Sequence, residues 1–203
     1  MKNHPYAAEA PRLPEGEHID PRELVASQGR PIELEIGPGR GGFLFERVLV
    51  DPALCVIGLE IRLKWATLVD RRLRETGFGA RARVFAEDAR LAIERFPEGC
   101  LDVVFVHFPD PWWKKRHKKR LVMGEPMLEQ LSRTVRSGGQ VFLQTDVEER
   151  AAGFAELFAG TSAFSAFGER PEVAENPFSA RSPRERRAMA DGLPIFRLHY
   201  RRS

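Results

Sequence analysis

Ile32-Glu33-Leu34-Glu35-Ile36-Gly37-Pro38-Gly39-Arg40-Gly41-Gly42 decides how this chain is read. Its first five residues make a short apolar strand, and the glycines after them make a turn. Beyond the turn, Phe43, Leu44, Val48 and Leu49 recur at helical spacing. Strand, glycine turn and helix in that order open a βαβ unit, and glycine there lets a backbone approach a ligand with no Cβ in the way. The run satisfies G-x-G-x-G and, through Gly37, Gly39 and Gly42, also G-x-G-x-x-G. Such turns are common after strands, so the glycines alone select no ligand.

The same rhythm continues downstream. Strands are expected over residues 54–60, 83–86, 101–108 and 140–145, and helices over 61–76, around 88–96, and over 123–136 and 147–158. Ser137-Gly138-Gly139 is read as the stop of the helix before it. Strands alternating with helices imply parallel pairing through right-handed crossovers. The end of the chain departs from this: residues 162–168 and 195–200 read as strands with room between them only for a short helix around 184–190. The expected fold is therefore α/β, Rossmann-like and single-domain over residues 31–203, with a mostly parallel seven-stranded sheet and an antiparallel C-terminal strand. Residues 1–30, rich in Pro, Gly and charge, are expected to form a largely irregular N-terminal arm.

A chain of 203 residues, 42% hydrophobic and 30% charged, suits one soluble domain with its own core. No run approaches a membrane span and no secretory pattern opens the chain, so a cytoplasmic protein without membrane contact is expected. Cys55 and Cys100 stand beside strand-like runs without metal-ligand spacing; buried free thiols and no metal are expected. The net charge is only +3, yet residues 114–120 hold six Lys or Arg, and residues 181–203 hold seven Arg against Glu185 and Asp191. Two basic patches on an otherwise acidic body suit a directed anionic partner.

Ligands of open α/β sheets sit outside the carboxyl ends of the strands, where strand order reverses. Glu35 closes the first expected strand, Glu60 the second, and Asp88 follows the third. Singly, each reads equally well as a capping or solvated acid. Together they divide a nucleoside: Glu60 suits ribose hydroxyls and Asp88, rather than Glu87, the adenine amino group. Glu35 beside the glycine turn would repel a pyrophosphate but attract a sulfonium with its α-amino group. That favours S-adenosyl-L-methionine over a nicotinamide dinucleotide, with Gly37 and Gly39 against the ligand.

The chain's second telling stretch is Phe108-Pro109-Asp110-Pro111-Trp112-Trp113-Lys114-Lys115-Arg116-His117-Lys118-Lys119-Arg120. Proline restricts both itself and the residue before it, so Phe108 and Asp110 are expected to be extended. Basic runs are often only solvated helix faces, and each tryptophan suits core packing as well as stacking on a base.

Here the sequence resembles the bacterial tRNA (guanine-N7)-methyltransferases of the class I S-adenosylmethionine-dependent fold. Glu35–Gly41 and Glu60 are similar to the first two class I motifs, and residues 108–120 resemble the family's P-D-P-W-x-K-x-x-H-x-K-R element. Gln144-Thr145-Asp146, Ser182-Pro183-Arg184-Glu185 and residues 192–202 are similar to its later elements. The resemblance implies methylation of a guanosine in the variable loop of tRNA. It implies that Glu35, Gly37, Gly39, Glu60, Asp88 and Asp110 meet the cofactor, with Asp110 catalytic. Lys114, Asp146, Ser182 and Glu185 would hold the guanosine, and Arg116, His117, Lys118, Lys119 and Arg120 the RNA. The chain departs from the pattern with Ser182 for threonine, Arg184 for an aromatic, and Trp113 where proline is frequent.

Guanine N7 carries a free lone pair and needs no base before attack, so positioning and electrostatics should carry catalysis. Asp110 is expected to orient the base and stabilise the cation forming on it. Two rivals remain: the same cofactor with another acceptor, opposed by the basic strip, and an RNA-binding module without catalysis, opposed by four acids facing an anionic partner. The expected state is a monomer or homodimer.

Overall fold

The computed structural model describes residues 5–109 and 122–203. Its strands are β1 (Ile32–Ile36), β2 (Cys55–Leu59), β3 (Ala82–Phe85), β4 (Leu101–His107), β5 (Val135–Thr145), β6 (Phe164–Ala166) and β7 (Phe196–Arg202). Its helices are α1 (Gly42–Val50), α2 (Leu63–Glu75), α3 (Ala89–Ala92), α4 (Glu125–Thr134), α5 (Glu148–Ala159) and α6 (Pro183–Ala190). All five residues of β1 are buried because the strand lies mid-sheet, parallel to β2 on one side and β4 on the other. Its alternation sorts the two faces: Ile32, Leu34 and Ile36 join the main core, while Glu33 and Glu35 point to the opposite face. Glu33 is held there by Arg47 of α1, at 2.7 and 2.8 Å. Burial nevertheless outweighs the guanidinium and leaves the Glu33 carboxyl above its usual pKa.

The strand order is β3-β2-β1-β4-β5-β7-β6, and β7 alone runs against both its neighbours. This is the expected sheet, down to its single reversed strand near the end. Order reverses between β1 and β4, which opens a crevice beyond their carboxyl ends.

Two local expectations are corrected. Ser137-Gly138-Gly139 does not stop α4; the helix ends at Thr134 and β5 begins at the next residue. Val135 pairs with Leu101, and the register shifts before Gln140 meets Val103, so the glycines form an irregularity inside the strand. A Cβ on Gly139 would lie 2.7 Å from Val135 Cγ1 and 3.0 Å from the Asp102 carbonyl, which is why glycine is needed there. Phe108 is not extended either: its φ is +47°, uncommon for a bulky residue. Its N–H donates to the Gln144 carbonyl at 2.8 Å, so pairing with β5 outweighs the local preference set by Pro109.

Residues 5–30 carry one 3-10 turn, Pro21–Glu23, but they are packed. Leu13, Ile19 and Val25 enter the main core, and Ala86 N–H donates to the Pro11 carbonyl across the edge of β3. Cys55 and Cys100 are both free and buried. Among the described residues no helix is long and apolar enough to cross a membrane.

Candidate active site

The glycine turn owes its shape to three residues at positive φ, Gly37 (+72°), Gly39 (+57°) and Gly41 (+74°). Neighbours then press on it. A Cβ on Gly41 would stand 2.5 Å from Val69 Cγ1 of α2, and one on Gly42 would stand 2.4 Å from Pro183 Cγ of α6. The turn is thus wedged between two helices, one of which belongs to the far end of the chain.

Glu60 closes the turn from β2. Its Oε2 accepts the Gly39 N–H at 2.8 Å, and its Oε1 accepts Arg62 N–H at 2.9 Å and Nε–H at 3.0 Å. The carboxylate is 2% exposed, whereas the Arg62 side chain over it is 58% exposed and can leave without disturbing the core. Glu35 is equally buried. Its Oε1 lies 3.1 Å from His107 Nδ1, and its Oε2 has no hydrogen-bond partner. Glu35, Gly37, Gly39 and Glu60 are therefore gathered at one point, at the reversal of strand order. A buried carboxylate oxygen left unpaired is costly unless a cation meets it, and the positive-φ glycines keep side chains away from the same place. This donor set fits the ammonium, sulfonium and ribose of S-adenosylmethionine.

Asp88 stands apart, at the start of α3. It caps that helix by accepting the Arg90 N–H at 3.0 Å and pairs with the Arg90 guanidinium, which holds its carboxyl below the usual range. Glu87 is engaged by the arm, through Leu13 N–H at 3.2 Å and Arg12 at 3.7 Å.

A second cluster forms where α6 meets β5 and β7. Asp146, just past β5, pairs with Arg184 in the first turn of α6. Ser182 caps α6 by accepting the Glu185 N–H at 3.1 Å. Ser-x-x-Glu reads as a capping box, but the Glu185 side chain does not turn back to the cap. It is fully buried, accepting from Asn176 Nδ2 at 3.0 Å and Arg197 Nη2 at 3.1 Å. The helix is pinned to α1 by the Arg186–Glu46 pair and by Arg181 N–H on Glu46 Oε2 at 3.0 Å. The Gly42–Pro183 contact joins this cluster to the glycine turn.

Asp110, Lys114 and Arg116–Arg120, with Trp112 and Trp113, lie outside the described residues. His107 and Gln144, with Asn176 and Arg197, belong to the site's surroundings; Gln144 and Arg197 fall within stretches similar to family elements, yet the sequence marks none of the four as a site residue. Only the period of two along β4 and β5, which places His107 with Phe105 and Gln144 with Phe142, could have found the first pair. Among the described residues no group of three or more His, Cys, Asp or Glu could hold a metal ion.

The sheet order, the glycine turn and the strand-end acids define the class of methyltransferases, and the family model described as "Putative methyltransferase" matches residues 29–198. Among solved structures, the 16S rRNA methyltransferase KamB superposes with a TM-score of 0.62 at 14% identity, covering 96% of this chain and 99% of that one. That likeness concerns the fold alone. A protein of Microcystis aeruginosa named tRNA (guanine-N(7)-)-methyltransferase is 31% identical over 90% of this chain and 88% of its own length. One of the same name from Myxococcus xanthus is 33% identical over 82% and 81%. The chain belongs to the tRNA (guanine-N7)-methyltransferase family.

Proposed function

We infer that this protein transfers a methyl group from S-adenosylmethionine to N7 of a guanosine in tRNA, in the variable loop. The observation that carries the reading is Glu35 Oε2, buried and unpaired beside the glycine turn at the crevice between β1 and β4. When bound there, the cofactor supplies an electrophilic methyl on a sulfonium that leaves as a neutral sulfide. The chain's own residues bind and orient. Glu35 faces the cationic end, Gly37 and Gly39 give it room, Glu60 takes the ribose as Arg62 swings outward, and Asp88 meets the adenine from the start of α3.

On the acceptor side, Asp146 and Lys114 hold the guanine edge while Ser182 and Glu185 set the position of α6. Asp110 follows the strained end of β4 and stabilises the positive charge that develops on the purine. Arg116, His117, Lys118, Lys119 and Arg120 engage the phosphates. Because N7 offers a lone pair and the leaving sulfide is neutral, the reaction calls for no metal. The protein acts on tRNA in the cytoplasm, as a monomer or homodimer. Residues 31–203 are the catalytic domain and residues 1–30 its N-terminal arm, of which residues 5–30 pack against the domain.

The test is transfer of labelled methyl from S-adenosylmethionine to bulk tRNA lacking the modification, followed by nucleoside mass spectrometry. N7-methylguanosine as the single product is expected. A different methylated nucleoside would overturn the assignment of the guanine-holding acids, and no transfer to tRNA would overturn the acceptor.

A further inference from the structure

Four neighbouring strands each place one polar side chain on the same face of the sheet near its carboxyl edge: Glu35 on β1, His107 on β4, Gln144 on β5 and Arg197 on β7. The register fixes this. Gln144 lies opposite both His107 and Arg197, and Glu35 lies opposite Phe105, which shares its face with His107. The two ends of the row are tied. Glu35 Oε1 meets His107 Nδ1 at 3.1 Å, and Arg197 Nη2 donates to Glu185 Oε1 at 3.1 Å. The middle is open: His107 Nε2, both amide atoms of Gln144 and Arg197 Nε are buried without a partner.

These four atoms match in pairs. A neutral imidazole with its proton on Nδ1 donates to Glu35 and leaves Nε2 an acceptor, which suits the Gln144 amide N–H. Arg197 Nε–H is a donor, which suits the Gln144 oxygen. Directly opposed residues on adjacent strands lie close enough for a side-chain rotation to bring such groups together. An unpaired buried amide is expensive, and an apolar side chain of the same shape would avoid the expense. Gln144 is 0% exposed, so solvent does not explain it.

We propose that Gln144 is a positioning residue that bridges His107 and Arg197, completing one hydrogen-bonded row from the cofactor acid Glu35 to the substrate-side acid Glu185. The row holds His107 in the Nδ1-protonated tautomer. It thereby fixes the Glu35 carboxylate with Oε2 turned toward the cation it binds, and it sets Glu185 under α6 from the other end. The roles of the two terminal acids rest on the function proposed above; the row itself does not.

The experiment uses the full chain labelled with 15N-histidine, with His107→Gln identifying the His107 signals. In the ligand-free protein the tautomer protonated on Nδ1 is expected. Gln144→Met, which keeps the shape and removes the bridge, should stay folded but melt a few degrees below the wild type, because His107 Nε2 and Arg197 Nε–H lose their partner. It should also shift the Nε2 resonance and weaken S-adenosylmethionine binding by about five- to tenfold, the worth of one hydrogen bond. A wild-type ring protonated on Nε2 overturns the row. So do unchanged ring resonances and unchanged affinity in Gln144→Met. The expected tautomer in a wild-type protein that fails to bind S-adenosylmethionine would instead sink the functional reading and leave the row standing.

Discussion

Gly42→Ala tests whether the far end of the chain builds the site. The new Cβ would lie 2.4 Å from Pro183 Cγ and 2.6 Å from Cδ, where ordinary contact begins at 3.4 Å. Pro183 must therefore retreat by about 1 Å, carrying Ser182 and Glu185 with it. Overpacking of this kind costs about 1–3 kcal/mol. Alanine recovers at most about 1 kcal/mol over glycine in a helix, and less at its first residue. A net loss of about 1–2 kcal/mol lowers Tm by roughly 2–8 °C in a chain of this size. The functional effect should be larger than the thermal one, because a displacement of about 1 Å at a reacting centre can cost ~100-fold in rate. Methyl transfer to tRNA would be followed alongside calorimetric binding of S-adenosylmethionine. Turnover should fall while cofactor affinity holds, since the three atoms nearest the new Cβ all belong to Pro183. Gly42→Ala combined with Pro183→Ala removes the colliding ring atoms and should restore part of both Tm and rate. A normal rate in the single variant would refute the placement of α6 in the acceptor site, as would loss of cofactor binding in step with turnover.

Three further outcomes are expected. Neutralising Lys118 and Lys119 together should flatten the salt dependence of tRNA binding, lowering the slope of log K against log salt by about 1.4–1.8; an unaltered slope would remove these residues from the RNA contact. Burial pushes the Cys100 thiol up to about 12 and raises that of Cys55, so neither should react with a thiol reagent at pH 8 until the chain unfolds, and rapid labelling of the native protein would contradict that burial. Burial, helped by Arg201, lowers His199 from 6.5 to about 4, so the unfolded chain binds the extra proton first as pH falls. Stability on this account is intact above pH 6.5 and is lost between there and about 4, by up to about 3 kcal/mol. His199→Gln should melt with a shallower acid limb, and parallel limbs would show that His199 is not responsible.

The divide between local and tertiary information follows from the range of the interactions concerned. Periodicity is a property of neighbouring residues, so β1, the glycine turn, the alternation of strands and helices and the reversed strand near the end were all legible. Glu35 and Glu60 were legible for the same reason, since a strand's end and a glycine turn place an acid without help from distant residues. The bulge at Gly138 and Gly139 was not, because Ser-Gly-Gly looks the same whether it ends a helix or kinks a strand, and only pairing of Val135 with Leu101 decides. The left-handed Phe108 was hidden in the same way by a bond to Gln144. Ser182–Glu185 was legible only as a stretch similar to a family element; that the Glu185 carboxylate goes to Asn176 and Arg197, from the preceding loop and β7, was not. The sequence alone determined the class of fold, the acids at its strand ends and its family. Tertiary structure decided which glycine admits α6, and which buried groups stand beside those acids, because sheet register and helix docking bring together residues that the sequence keeps far apart.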